Sequence, residues 1–170
     1  MTAHIIGCGP TGSTWNGEGF SIGVNDCWKF GHPTKHLVVL NSFESQPKRK
    51  AIIDRSIPDV FWGHLGKWEA RPDFRMINMQ PWKGNFVPGK IYYSNNSPFV
   101  AVTLAYQLGY RKMVLWGIDF TEHQIIKNDL LKQTLKDFGE LQAELIKNGA
   151  SMYLGAKGSR LDLELWNGLP

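Results

Sequence analysis

Ala3-His4-Ile5-Ile6 runs directly into Gly7-Cys8-Gly9-Pro10-Thr11-Gly12. A short apolar run stopped by turn formers reads as a buried strand. Glycines spaced Gly7-x-Gly9-x-x-Gly12 let the chain turn tightly and bring N–H groups near a phosphate. By letter this is the dinucleotide-binding fingerprint. The residues after Gly12 depart from it. Only residues 13–19 separate the loop from the next apolar run, Gly17 and Gly19 among them, so no full crossover helix fits. The acidic residue expected about twenty positions on is missing, since Asp26 comes too early. A nicotinamide dehydrogenase is therefore set aside, and the loop is either a phosphate-binding turn or a plain strand-to-loop turn.

Further apolar runs are each stopped by short polar residues. Phe20–Val24 stops at Asn25-Asp26 and His36–Leu40 stops at Asn41-Ser42. Their near-continuous apolar character predicts strands covered on both faces, as in a parallel sheet. Lys48–Arg55 predicts a short helix and Val60–Trp62 a weaker strand. Residues 63–90 are rich in Pro, Gly, Trp and Asn and read as an irregular insertion, with strands at Phe74–Met79 and Lys90–Tyr93. Pro98–Leu108 has helical spacing, with Pro98 in the first turn and Gly109 as C-terminal cap. Met113–Trp116 is a strand ending in Gly117-Ile118-Asp119-Phe120, Ile126–Lys147 an amphipathic helix, and Ser151–Leu154 a last strand. The alternation predicts an α/β fold: one Rossmann-like domain over 1–170, its mostly parallel sheet flanked by helices and its ligands at the carboxyl ends of the strands.

Composition narrows the partners. The 170 residues carry 19 Lys and Arg against 15 Asp and Glu, a net charge of +4 that suits a small anion. The basic residues are scattered and the densest cluster, Lys48-Arg49-Lys50, reads as a solvated helix start, so no nucleic-acid partner is expected. No segment is apolar enough to span a bilayer and no leader precedes the first strand, which points to the cytoplasm. Cys8 and Cys27 fit no metal-ligand spacing and are expected as reduced thiols. The Trp-rich stretch from Trp62 to Trp82 reads as exposed, a candidate surface for homo-oligomer formation.

The candidate site residues cluster at strand ends. Gly7, Cys8, Gly9, Pro10, Thr11 and Gly12 form the loop; Asn25, Asp26, Asn41 and Ser42 can hydrogen-bond a base, ribose or phosphate, or simply make turns. Ser94, Asn96 and Ser97 precede a helix and offer both N-caps and an anion site. Gly117 and Phe120 flank Asp119 at the next strand end. His123 has the pKa for general-base work, with Asp119 as a partner that could orient it. There is no Walker-type lysine loop and no Ser-His-Asp order.

In succession, Ile5-Ile6-Gly7-Cys8-Gly9-Pro10-Thr11, Gly23-Val24-Asn25-Asp26, Tyr93-Ser94 and Ala105-Tyr106-Gln107-Leu108-Gly109-Tyr110, then Leu115-Trp116-Gly117-Ile118-Asp119-Phe120, resemble one superfamily. It groups the bacterial sialyltransferases that use CMP-sialic acid with flagellar motility accessory factors and archaeal 6-hydroxymethylpterin diphosphokinase-like proteins. The resemblance covers residues 4–123 and the tail Gly158-Ser159-Arg160-Leu161. It implies that Gly7, Gly9, Pro10, Thr11, Asn25, Asn96 and Ser97 hold the CMP part of a sugar donor. It also implies that His123 deprotonates the acceptor hydroxyl without a metal. The chain departs from the pattern at Cys8, where a polar residue is usual, and at Pro98, where a glycine is. The segment from Phe120 to His123 is cut short, with no tyrosine to assist the leaving phosphate and little left of a lid.

Three functions stand as expectations. The first is a compact glycosyltransferase with a nucleotide-sugar ligand and no cofactor. The second is a pterin-type diphosphokinase, which would need ATP and Mg²⁺ held by Asp26 and Asp119. The third is a non-catalytic nucleotide-binding protein, of a kind a phage might encode.

Overall fold

A computed structural model describes residues 1–64, 68–121 and 128–168. Strands β1 (Thr2–Ile6), β2 (Ser21–Val24), β3 (His36–Val39), β4 (Val60–Gly63) and β5 (Phe74–Met76) are followed by β6 (Met79–Pro81), β7 (Ile91–Tyr93), β8 (Lys112–Trp116) and β9 (Ser151–Leu154). Helices α1 (Pro47–Arg55), α2 (Ser97–Gln107) and α3 (Asn128–Lys147) lie among them. Seven strands form one sheet in the order β5-β4-β3-β2-β1-β8-β9. Every pair in it is parallel. The α/β reading from the sequence is thus the fold observed.

Alternate residues of each strand supply two cores. On one face Ile5, Ile22, Val24, Val38, Met113, Leu115 and Met152 pack against Phe99, Val100 and Leu104 of α2 and Phe138, Leu141 and Leu145 of α3. On the other, Ile6, Leu37, Val39 and Phe61 pack against Trp15, Cys27, Phe43, Ile53 and Trp68. Burial on both sides is why these strands read as unbroken apolar runs. The short link from β1 to β2 holds a 3-10 turn, Pro10–Thr14, in place of a helix, and the link from β2 to β3 holds another, Cys27–Phe30.

The insertion differs from its sequence reading in two ways. Phe74–Met79 is not one strand. Phe74–Met76 extends the main sheet, whereas Met79–Pro81 leaves it to pair in parallel with Ile91–Tyr93. The tryptophans are not an exposed surface either. Trp68 is 5% exposed and its indole N–H donates to the Asn41 carbonyl. Those of the half-buried Trp62 and Trp82 donate to His36 Nδ1 and Glu140 Oε2. The reason lies in α2, which is buried from Phe99 to Tyr106. A helix apolar on every side needs cover on every side, and Trp82 on Phe99 (5.3 Å) and Phe86 on Tyr106 (4.8 Å) supply its outer layer.

At the carboxyl ends of β1 and β8 the chain has no room for side chains. Ile6 and Trp116 are register partners, and the Gly7 N–H donates to the Trp116 carbonyl at 2.6 Å. A Cβ on Gly7 would lie 2.3 Å from the Gly117 oxygen. On the far edge, residues 164–166 run beside β9: Leu154 bridges Leu165, and the Trp166 ring lies 5.2 Å from that of Tyr153.

Two glycine substitutions should therefore differ in sign. Gly7→Ala forces two backbones apart and is expected to destabilise by about 3 kcal/mol, the upper range for overpacking. Gly139→Ala, inside α3 with nothing near the added methyl, should stabilise by about 1 kcal/mol. Urea unfolding of the two variants measures both.

Candidate functional site

The chain builds β1 to β5 outward in one direction, then returns to place β8 on the free side of β1. Where strand order reverses, the connections diverge and leave a crevice beyond the carboxyl ends. Here it is a cleft of about 770 Å³. Its walls are the loops after β1, β2, β3 and β8, the start of α2 and one side of α1.

Of the residues singled out from the sequence, Gly7, Cys8, Gly9, Pro10, Asn25, Asp26, Asn41, Asn96, Ser97, Gly117, Asp119 and Phe120 line this cleft. Thr11, Gly12, Ser42 and Ser94 do not. Thr11 instead clamps the loop to the end of β8. Its N–H donates to Asp119 Oδ2 at 2.9 Å, its hydroxyl donates to Asp119 Oδ1, and its Oγ1 accepts the Gly117 N–H at 2.8 Å. Gly12 carries no Cβ because the Phe30 ring lies there, 2.5 Å from where one would be. Ser94 is buried, and its hydroxyl donates to the buried Asp137 of α3, which also accepts from Gln133 at 2.6 Å. His123 lies outside the described residues.

The loop's amides are largely spent inside the protein. Gly9 N–H donates to Gly117 O at 2.7 Å and Gly12 N–H to Gly9 O at 3.0 Å, beside the Gly7 and Thr11 donors already placed. The glycines of the fingerprint thus serve close approach, with Asp119 Oδ2 only 2.6 Å from a Cβ on Gly9. At α2 the side chain of Asn96 caps the helix, its Oδ1 accepting the Phe99 N–H at 2.9 Å and its Nδ2 donating to Ser94 O.

Two features of the cleft wall point to a ligand. Asn25 Oδ1 is buried and accepts no hydrogen bond from the described residues. A buried acceptor left bare costs about 1–3 kcal/mol, which a ligand donor would recover. Among the described residues, four that are not glycine have left-handed backbones, Asn25, Phe43, Asn95 and Phe120, with φ between 47° and 56°. All four line the cleft. Such strain collects at functional sites because it aims side chains that a relaxed backbone would not.

One acid and one base of the cleft pair off, Asp26 and Arg49. Asp26 is 4% exposed, and its Oδ1 accepts from Arg49 Nε (2.9 Å), Arg49 Nη2 (2.6 Å) and the Cys8 thiol (3.1 Å). Burial alone would raise the Asp26 carboxyl, but these hydrogen bonds outweigh it and hold it below the usual carboxylate value. The half-buried Cys8 thiol, shielded from water and facing that carboxylate, is pushed up to about 12, so it stays a neutral donor.

By sequence Arg49 belongs to a solvated helix start. The structure corrects this: its guanidinium lies over Phe43 at 4.3 Å and joins the cleft wall. Lys29, Phe30, Phe43 and Gln46 also line the cleft, and no sequence signal singles them out. They reach it from the 3-10 turn after β2 and from the approach to α1, segments too short to show a period.

Compared by sequence, the chain matches no protein-family model and no curated protein. Its fold has solved counterparts. The sialyltransferase CstII from Campylobacter jejuni, in complex with the substrate analogue CMP-3FNeuAc, superposes with a TM-score of 0.57 at 14% identity, over 96% of this chain and 85% of that one. CstII with a trisaccharide acceptor and CMP gives 0.55 at 16% identity, over 96% and 86%. A single-residue variant described as an alpha-2,3/8-sialyltransferase gives 0.58 at 15%, over 97% and 86%. The chain shares the Rossmann-like fold of these sialyltransferases.

Proposed function

We propose that the cleft binds a sugar nucleotide of the cytidine monophosphate type and that the protein transfers the sugar to a hydroxyl acceptor. The carrying observation is the bare, buried Asn25 oxygen in a strained polar cleft at the strand-order reversal. Solved proteins described with CMP or a CMP-bearing analogue have the same fold.

On this proposal the acceptor oxygen attacks the anomeric carbon of the sugar. The bond from that carbon to the phosphate oxygen breaks, and CMP leaves with the electron pair. The hydroxyl proton goes to the imidazole of His123, the base that the family resemblance assigns. Asp119 acts as a positioning residue through Thr11, fixing the glycine loop against β8. Asn25, Asn96 and Ser97 are the polar contacts for the donor.

The paired charges favour a monophosphate over a metal-bound triphosphate. A Mg²⁺ site would call on Asp26 and Asp119. Asp26 Oδ1 already accepts three donors, and both oxygens of Asp119 accept from Thr11.

Thermal shift with nucleotides is the deciding test. CMP at a hundredfold excess over its dissociation constant should add about 2.7 kcal/mol of stability, with or without Mg²⁺. A shift that needs both ATP and Mg²⁺ would overturn the proposal in favour of phosphoryl transfer. His123→Ala should keep the CMP shift and abolish sugar transfer, followed as CMP release from a CMP-sugar with a hydroxyl acceptor. Tight CMP binding with no transfer by the wild type would make the protein a nucleotide binder only.

A further inference from the structure

We propose that Lys29 is the residue that meets the phosphate charge of the bound nucleotide. This rests on the nucleotide-binding proposal above and adds a residue that neither the sequence pattern nor the family resemblance supplies. The ground for it is how many of the cleft's other donors are already engaged inside the protein.

The glycine loop offers little. The N–H groups of Gly7, Gly9, Thr11 and Gly12 all donate within the protein. At the start of α2, Pro98 has no N–H and the Phe99 N–H is taken by Asn96, which leaves the uncharged groups of Ser97. Two cations line the cleft among the described residues, Lys29 and Arg49. Arg49 is committed: Nε and Nη2 donate to Asp26 and Nη1 to Gln46.

Lys29 is different. It stands on the 3-10 turn Cys27–Phe30, its backbone N–H fixed to the Asp26 carbonyl at 3.0 Å. Its Nζ donates to the Cys8 carbonyl at 2.7 Å, which holds the ammonium at the rim of the glycine loop. An ammonium has three N–H donors, so two remain. No carboxylate among the described residues forms an ion pair with it. A tethered ammonium with no anionic partner among the described residues, 5.0 Å from the Phe30 ring and beside a loop most of whose amides are spent, recognises a phosphate as a point charge.

Calorimetric titration of the whole chain with CMP and with cytidine separates the phosphate from the nucleoside. Lys29→Met should weaken CMP binding by about tenfold, the scale of one charge-assisted contact at a partly open site. Cytidine binding should stay within about twofold, and raised salt should narrow the difference between wild type and variant for CMP. Lys29→Arg should retain most of the CMP affinity, and Lys48→Met, outside the cleft, should retain all of it. Lys29 is exposed, so an unchanged melting temperature for Lys29→Met would show that the loss is local. If Lys29→Met keeps the full preference for CMP over cytidine, the role of Lys29 is overturned while nucleotide binding stands. If the wild type binds neither compound, both proposals fall.

Discussion

The contact on which the site depends is the clamp between Thr11 and Asp119. The amide and hydroxyl of Thr11 in the first loop both donate to the Asp119 carboxylate after β8, and the Gly117 amide completes the ring by donating to the Thr11 hydroxyl oxygen. The two strands they follow are neighbours in the sheet, so the clamp holds together the loops that a doubly wound topology would otherwise splay apart. Asp119 is 3% exposed and has no ion-pair partner among the described residues. A buried carboxylate in that position is tolerable because hydrogen bonds answer its oxygens. The segment after β9 docks onto the same corner, the Arg160 amide donating to the Asp119 carbonyl and the Ser159 hydroxyl to that of Ile118.

Close approach at this corner decides much of the local chemistry. Gly7, Gly9 and Gly12 are small because Gly117, Asp119 and Phe30 occupy the space beside them. Their amides are then consumed in holding the corner shut. The polar groups left facing the cleft lie further out, on residues whose backbones are held in the left-handed region and on side chains arriving from the 3-10 turn and α1. Glycines at fingerprint spacing can thus serve packing as well as phosphate contact, and only the hydrogen-bond partners separate the two.

Much of this is legible in the sequence, and the legible part has a common cause. β1, β2, β3 and β8 are apolar runs because both sheet faces are covered, and each ends at Gly, Asn or Asp because a turn comes next. Strand ends in a parallel sheet converge on one edge, so Asn25, Asn41 and Asp119 can be grouped from the chain alone. Arg49 cannot. It looks like its neighbours Lys48 and Lys50, and only the fold brings it 2.6 Å from an aspartate twenty-three positions earlier. Trp62, Trp68 and Trp82 mislead for a related reason. Indole N–H groups find their acceptors in His36, Asn41 and Glu140, none of them close in sequence. The split of Phe74–Met79 is hidden as well, because three-residue strands carry too few side chains to show a period.

The main sheet ends unequally, and that inequality bears on how copies of the chain could meet. Beside β9 the segment 164–166 satisfies backbone groups, with Leu154 donating to Glu164 and accepting from Trp166. At the other margin β5 is only three residues long, with Met76 60% exposed. Growth of a sheet from chain to chain needs two receptive margins, as a chain of hooks needs an eye on every hook. This sheet has one. With the outer side of β9 closed by its own chain, sheets of successive copies have no second margin to join, and the geometry withholds an open-ended fibre.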